Sequence, residues 1–468
     1  MTAPLFPHQV EGANRLARGT PTYLGLDMGI GKTRAFIEAV KLRGATRVLV
    51  LAPATAILVW KREVHLWHGT GLVVIVKSAA DLKQRGTYYL VSHGLMSQKD
   101  GEVPRALAEG RTFDLTAIDE AHAFNSADTN RVKALRKAVA KLGDITPLSG
   151  TPMKNHAGDL YTLLSICWPQ GLKRPDGLPM SRYNYEERFC RVAHRSFGGN
   201  RMVRVIEGSK NLDTLKTMLA PFMLRVRKED VFKDLPPILW DSVPVPLDQS
   251  QFPPEEATRM EETITRIMAR EGVTAGSDAV TEVLRVMSNS VGLMTARRLL
   301  GAAKLRGATE YLVDMLDNLP NNRKVLVFAH HSHVIVALTR HLGEYSPARL
   351  VGATSSKDRE AAVDKFLNDP HCRVFVGNIQ AAGTAITLVG PNCQCSDVVF
   401  VESSWTPMDN AQAACRVHRI GQNDGVVARM LSAAGTVDDL INSLLVRKAR
   451  EFTQLFDTQP PETTGDVT

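Results

Sequence analysis

A glycine-rich segment near the start of the chain has the residue types that bind phosphate. It follows an apolar run from Tyr23 to Leu26 and precedes a helical pattern from Ala35 to Leu42. A tight turn that leads into a helix N-terminus directs backbone N–H groups and the positive end of the helix dipole at one point. Lys32 would contact the terminal phosphates of a nucleotide, and the Thr33 hydroxyl would hold Mg²⁺. The segment therefore predicts a nucleotide site made of Met28, Gly29, Ile30, Gly31, Lys32 and Thr33. The alternative is an ordinary strand–turn–helix with a solvated lysine, since Leu26 stands where this pattern usually has its first glycine.

A pair of adjacent acids follows a second buried run. Leu115 to Ile118 predicts a strand, and the sequence continues directly with Asp119-Glu120-Ala121-His122. A carboxylate at the end of a strand is suited to hold the same Mg²⁺ as Thr33, and a second carboxylate beside it is suited to activate the attacking water. We therefore assign Asp119 to the metal and Glu120 to the water. Adjacent acids in a turn are common, so the pair gains its meaning from the phosphate-binding segment that precedes it.

A basic motif near the other end of the chain offers the complementary charge. The segment from Gln412 to Gln422 reads QAACRVHRIGQ, with Arg416 and Arg419 three residues apart. On a helix, residues with this spacing share one face, so both guanidinium groups would point toward one phosphate and stabilise its transition-state charge. The alternative is a helix with a basic surface.

The remaining patterns define the elements that must position these side chains. Short apolar strands alternate with helical segments in both halves: Arg47–Ala52, Leu72–Val76, Tyr88–Ser92 and Asp144–Leu148, then Lys324–Phe328, Ala348–Val351, Arg373–Val376 and Val398–Val401. This alternation predicts an α/β fold with parallel sheets, in which ligands bind beyond the carboxyl ends of the strands. No second phosphate-binding segment occurs, so the second half completes the first site.

The order of these motifs resembles a known family. GIGKT, DEAH and Ser149-Gly150-Thr151-Pro152 resemble the first motor domain of superfamily 2 helicases, and LDMGIGKT with QAACRVHRIGQ resembles the Swi/Snf-type DNA translocases. The sequences VLVFAHH, starting at Val325, and GATSS, starting at Gly352, are most similar to the annealing-helicase branch of that family. The resemblance covers about Leu5 to Ala449 and implies two RecA-like parallel-sheet lobes in tandem with helical insertions, with ATP bound where the lobes meet.

The resemblance also implies roles for residues outside the three motifs. Gln9 and Gln412 would contribute to the nucleotide site, with Gln9 at the adenine. His122, Ser149 and Thr151 would couple ATP hydrolysis to DNA. Contacts to the DNA backbone would come from Thr55, Ser92, Thr354, Gly383 and Thr384, although Ala385 stands where the family usually has glycine.

Length and composition divide the chain and limit its class. The 468 residues exceed one core. Together with the resemblance, the sequence implies a first lobe at 1–225 with an arginine-rich insertion at about 168–210, a connector and helical protrusion at 226–320, a second lobe at 321–453 and a disordered tail at 454–468. The net charge of +8 favours a polyanionic partner weakly. We expect a cytoplasmic monomer, in a bacterium or a virus-infected host, since no apolar run is long enough to span a membrane.

The residues themselves predict a Mg²⁺-dependent nucleoside triphosphatase. The resemblance implies an ATPase that moves along double-stranded or branched DNA in replication, repair or recombination, with other proteins of those processes as possible partners. Three alternatives stay open: a strand-separating helicase of the same superfamily, a non-hydrolysing module that binds DNA or protein, and a motor that acts on RNA.

Overall fold

The chain folds into two units, and each is built on a large sheet. The structure, a computed structural model, describes residues 4–150, 152–153, 156–196, 202–231, 238–252, 291–352, 354–379, 388–390 and 393–418, together with short stretches between 254 and 266 and between 422 and 445. The chain divides into two units, Met1–Asp234 and Leu235–Thr468.

The first unit is built on a seven-stranded sheet. Its strands run in the order β3-β4-β2-β5-β6-β1-β9, and neighbouring strands pair in parallel. The strands are β1 (Tyr23–Leu26), β2 (Val48–Ala52), β3 (Val73–Ile75), β4 (Tyr88–Ser92), β5 (Leu115–Asp119), β6 (Asp144–Leu148) and β9 (Met223–Val226). The inner strands β1, β2, β4, β5 and β6 are largely buried and therefore apolar, which explains why the sequence predicts them closely. The edge strand β9, which is only partly buried, was not predicted from the sequence.

The helices of the first unit connect these strands. They are α1 (Pro7–Ala17), α2 (Lys32–Arg43), α3 (Ile57–Trp67), α4 (His93–Met96), α5 (Glu102–Glu109), α6 (Asn130–Ala138), α7 (Tyr161–Cys167), α8 (Arg182–Phe189), α9 (Leu212–Leu219) and α10 (Lys228–Val231). Because all seven strands are parallel, their carboxyl ends lie at one edge of the sheet. The phosphate-binding segment, the acid pair and Ser149 all follow strands at that edge.

The arginine-rich insertion has a structure of its own. After α8, strands β7 (Cys190–Ser196) and β8 (Met202–Ser209) pair in an antiparallel hairpin that is separate from the large sheet. Two of its arginines are held by acids of α8: Arg182 lies 2.7 Å from Glu186, and Arg204 bonds both Glu186 and Glu187. Both arginine side chains therefore form ion pairs within the insertion and stabilise it.

The second unit repeats the parallel arrangement with six strands in the order β10-β15-β14-β11-β13-β12. The strands are β10 (Leu239–Val245), β11 (Arg323–Ala329), β12 (Ala348–Leu350), β13 (Val374–Asn378), β14 (Gln394–Phe400) and β15 (Val427–Ala433), and the helices are α11 (Val291–Ala303), α12 (Leu305–Asn318), α13 (Ser332–His341), α14 (Ser356–Asn368) and α15 (Pro407–Ala414). Alternate residues of β11 pack on opposite faces of this sheet, in two apolar layers.

The region predicted as a connector and protrusion belongs in large part to this second unit. Strand β10 lies at the edge of the second sheet beside β15, and α12 buries Leu312 and Leu316 in the layer under β11. Sequence pattern did not indicate β10, because an edge strand keeps exposed and polar positions and tolerates Pro244. Residues 267–290 of the predicted protrusion and the predicted tail at 454–468 lie outside the described residues. No helix in the described part of the chain combines the length and the apolar character that crossing a membrane requires.

Candidate nucleotide site

The phosphate-binding segment forms the predicted strand–turn–helix. Strand β1 is fully buried, Gly29 and Gly31 adopt left-handed φ angles of 82° and 90°, and α2 begins at Lys32. A residue with a Cβ would be strained at both glycines, so the turn depends on them. The 12-residue helix α2 directs its N-terminus at the carboxyl edge of the sheet, where the helix dipole favours an anion.

Lys32 is held against the turn that it follows. Its Nζ donates hydrogen bonds to the carbonyl oxygens of Leu26 at 2.8 Å and Asp27 at 3.1 Å. Burial lowers the pKa of Lys32, while the charges of Glu120 and Asp119 oppose that shift. The ammonium group therefore lies in the electrostatic field of the acid pair, as a shared phosphate and metal site requires.

Gln9 packs directly on the glycine turn. Its Oε1 accepts a bond from the Phe6 backbone N–H at 3.1 Å, and its Nε2 donates to the Ile30 carbonyl at 3.1 Å. A Cβ at Gly31 would lie 2.1 Å from this Nε2. The structure thus places Gln9 beside the phosphate-binding segment, with its amide braced by backbone groups.

Asp119 and Glu120 lie at the end of β5, where Asp119 is held by hydrogen bonds and Glu120 has an unusual backbone conformation. Asp119 Oδ2 accepts a bond from the indole of Trp60 at 2.8 Å, and Oδ1 accepts one from the Glu120 backbone N–H at 3.0 Å. Burial and the neighbouring charge of Glu120 raise the pKa of Asp119 to about 6. Glu120 adopts φ 47° and ψ 51°, a left-handed conformation that costs a non-glycine residue about 1–2 kcal/mol and is typical of functional sites.

His122 and Ser149, two of the three predicted coupling residues, meet in the structure. The Nδ1 of His122 lies 3.4 Å from Glu120 Oε2 and 3.3 Å from Ser149 Oγ. The imidazole therefore connects the predicted water-activating carboxylate to the loop after β6. Thr151, the third coupling residue, lies outside the described residues.

Asp27 forms a connection that sequence reasoning missed. Its carboxylate accepts bonds from Arg225 Nη1 at 2.6 Å and from the Lys228 backbone N–H at 3.0 Å. Arg225 also donates to the Gly25 carbonyl at 2.7 Å. These bonds attach the phosphate-binding segment to β9 and α10. The bonded residues lie 198 to 201 positions apart in the chain, so no local pattern indicates the connection.

The residues predicted to contact DNA in the first unit lie at the same edge of its sheet. Thr55 follows β2 in a short 3₁₀ turn, and Ser92 ends β4, where its Oγ accepts the Leu95 N–H at 3.3 Å. The strand order places them on the side of β5 that is away from β1. In the second unit, Thr354 bonds the Val351 backbone N–H through Oγ1 at 3.0 Å, while Gly383 and Thr384 lie outside the described residues.

The helix predicted to carry Arg416 ends before it reaches that residue. Helix α15 contains Gln412 but ends at Ala414, and the backbone N–H groups of Arg416 and Val417 bond carbonyls three residues back, as in a tight turn. Arg416 is buried in that turn, and Arg419 lies outside the described residues.

The metal assignment fits the donors that the structure offers. The described residues contain no group of three or more histidine, cysteine, aspartate or glutamate side chains that could hold an ion. Mg²⁺ is commonly held by one or two protein oxygens together with substrate phosphates, and Asp119 with Thr33 supplies that kind of donor set. The histidines at 330, 331 and 333 form no such group among the described residues, and His331 Nδ1 lies 2.6 Å from Glu402 Oε1.

Comparisons with known proteins identify the same two regions. Residues 15–253, just over half of the chain, match the SNF2-related domain, and residues 307–421 match the helicase conserved C-terminal domain. The human "DNA annealing helicase and endonuclease ZRANB3" is 29% identical over 96% of this chain and 40% of its own length. The Xenopus laevis "SWI/SNF-related matrix-associated actin-dependent regulator of chromatin subfamily A-like protein 1" is 29% identical over 96% of this chain and 44% of its own length.

The chain thus spans less than half the length of both relatives. Among solved structures, the "Sulfolobus solfataricus SWI2/SNF2 ATPase core in complex with dsDNA" is 21% identical, covers 97% of this chain and 93% of its own, and gives a TM-score of 0.42.

Proposed function

Because the chain belongs to the SNF2-related family of helicase-like ATPases, we propose that it couples Mg²⁺-dependent hydrolysis of ATP to movement along double-stranded DNA. The relatives' names include a DNA annealing helicase, which supports a role in remodelling DNA structures during replication, repair or recombination. We propose that it acts as a monomer.

One observation carries this proposal. The segment with Lys32, the acid pair and the His122–Ser149 contact all follow parallel strands at one edge of the first sheet. Thr55 follows β2 and Ser92 ends β4, farther along that edge. A nucleotide at one end of the edge and a DNA backbone at the other would be linked through Glu120 and His122.

The proposed roles follow from the chemistry of each group. Lys32 and the turn bind the phosphates, Thr33 and Asp119 hold Mg²⁺, and Glu120 accepts a proton from the attacking water. Mg²⁺ supplies charge stabilisation at the phosphoryl oxygens. We propose that Arg416 and Arg419 stabilise transition-state charge, on the strength of their motif.

The first test is ATP hydrolysis by the pure protein, alone and with single-stranded, double-stranded or forked DNA or RNA. We expect duplex DNA to stimulate hydrolysis, without preference for sequence and less strongly as salt rises, since phosphate contacts carry no sequence information. The Lys32→Ala variant should not turn over. Stimulation by single strands or RNA alone would overturn the duplex translocase, and no hydrolysis under any condition would leave a binding module.

Strand separation is the second candidate, because the insertion contains the antiparallel hairpin β7–β8. A hairpin of this kind is a suitable element for parting two strands. Release of a labelled strand from a forked duplex distinguishes the two functions. A duplex translocase that does not separate strands hydrolyses ATP on this substrate without releasing the label.

A further inference from the structure

A buried tryptophan contacts the carboxylate that we assign to the metal. The indole Nε1 of Trp60 donates a 2.8 Å hydrogen bond to Asp119 Oδ2, across 59 positions of sequence. Trp60 is only 1% exposed. We propose that Trp60 is a positioning residue for Mg²⁺, whose indole fixes the orientation of the Asp119 carboxylate. This inference rests on the proposed ATPase function.

The contacts around Trp60 fix the position of its ring. The indole lies on α3 and packs edge-to-face against Phe36, with ring centroids 6.0 Å apart and an interplanar angle of 79°. Phe36 lies on α2, one turn after Thr33. The Trp60 indole therefore packs against α2, which carries the proposed Mg²⁺ donor Thr33, and it bonds the other proposed donor, Asp119. This arrangement sets the two donors relative to each other before any ligand binds.

The chemistry of the indole suits this role. An indole N–H is a donor only and does not titrate in the physiological range, so it orients a carboxylate without competing for the cation. Each Asp119 oxygen accepts one bond in the structure, from Trp60 or from the Glu120 backbone N–H. A carboxylate oxygen has two lone pairs, so each oxygen keeps one for a metal. Losing a hydrogen-bond partner of a metal ligand typically lowers metal affinity about 10- to 100-fold.

A second tryptophan on the same helix provides a matched control. Trp67 donates its indole N–H to Glu63 Oε2 at 2.7 Å, also within α3. Neither Trp67 nor Glu63 is a site residue. The Trp67→Phe variant removes an indole bond to a carboxylate without touching Asp119, so it reports the general effect of such a loss on α3.

The test measures Mg²⁺ binding separately from turnover. Trp60→Phe keeps an aromatic ring in the core and removes the N–H donor, together with part of the buried ring volume. Binding of a fluorescent ADP is titrated in excess EDTA, and Mg²⁺ is then titrated into the ADP complex. We expect the ADP affinity of Trp60→Phe in EDTA to stay within about twofold of wild type. We expect the Mg²⁺ affinity of its ADP complex to fall about tenfold or more. Trp67→Phe should match wild type in both titrations.

Three outcomes separate the possible failures. An unchanged Mg²⁺ affinity in Trp60→Phe overturns the inference. An equal loss of ADP affinity with and without Mg²⁺ also overturns it, because the residue then has a general structural role. A wild-type protein that binds Mg²⁺ and ADP as expected but hydrolyses no ATP refutes the proposed function and leaves the positioning role intact.

If Trp60→Phe does not fold, the wild-type protein gives the answer. The five tryptophans of the chain are labelled with ¹⁵N, and their indole signals are assigned by replacing the other four in turn. We expect the Trp60 signal to shift when Mg²⁺ is added to the ADP complex but not with ADP in EDTA, since the charge on its acceptor changes with the metal. A Trp60 signal that ignores Mg²⁺ overturns the inference.

Discussion

Replacing Glu120 with glutamine should separate hydrolysis from binding. Glu120 has a positive φ of 47°, and its Oε2 lies 3.4 Å from His122 Nδ1. Glutamine has the same shape and keeps the backbone, but its amide does not accept a proton at neutral pH. We expect hydrolysis to fall about 10²- to 10⁴-fold, the range for loss of a general base, which corresponds to about 3–5 kcal/mol in activation free energy.

The same change should leave nucleotide binding intact or slightly stronger. Burial and the charge of Glu120 both raise the pKa of Asp119. Removing the Glu120 charge lowers that pKa, so Asp119 is more completely ionised near pH 7 and available to Mg²⁺. The Glu120 charge also opposes the effect of burial on the pKa of Lys32, and the charges of Asp119 and Asp27 continue to oppose it in the variant.

The assay combines single-turnover phosphate release on duplex DNA with binding of a fluorescent nucleotide. Glu109→Gln is the control, since Glu109 is exposed at the end of α5 and outside the site. Turnover by Glu120→Gln within about threefold of wild type would show that another group activates the water. A parallel loss of binding and turnover would show that Glu120 maintains the fold of the turn.

Two further changes test the structure around the site and the sheet. Gly31→Ala should weaken nucleotide binding and lower the melting temperature, because φ at this position is +90° and the new Cβ would lie 2.1 Å from Gln9 Nε2. Gly44→Ala is the control, since φ is +65° there and no atom lies within 4 Å of the new Cβ. This control should lose only about 1 kcal/mol of stability, from the strained φ. A Gly31→Ala variant as stable as Gly44→Ala would contradict the packing argument. For Asp114, burial raises the pKa but hydrogen bonds led by the Arg47 N–H outweigh it and lower the pKa below 3.8. Asp114→Asn should therefore cost about 1 kcal/mol of stability at pH 7. In melting curves between pH 7 and pH 3, the difference in stability from wild type should shrink as the pH falls below 3.8 and Asp114 becomes protonated. A pH-independent difference would contradict it.

The strands of the two sheets were largely predictable from sequence because they are buried on both faces. The apolar runs Tyr23–Leu26, Tyr88–Ser92 and Asp144–Leu148 coincide with β1, β4 and β6. The glycine turn and the acid pair were found for a similar reason, since each follows such a run directly. Local sequence contains all the information that these features need.

Features that depend on distant partners were not predictable. Nothing near Trp60 indicates that its indole bonds Asp119, and nothing near Asp27 indicates Arg225. The helix expected through Arg416 ends at Ala414, where the chain turns within the second unit. The hairpin β7–β8 did carry a local signal, the Gly198-Gly199-Asn200 sequence between two strand-like runs, which is typical of a tight turn.

The order of strands in the two sheets has a consequence for synthesis. In the first sheet, Tyr23 pairs with Met223, and in the second sheet Leu239 pairs with Val427. Each sheet therefore joins one of its earliest strands to its last. While the ribosome makes the chain, β1 keeps one unpaired edge until residue 226 emerges, and β10 waits without its partner until residue 433 emerges. An open edge of backbone N–H and C=O groups invites pairing with other chains, and closing such long loops is slow. During synthesis each unit thus keeps an unpaired strand edge for a long interval, which ends only when its final strand is completed.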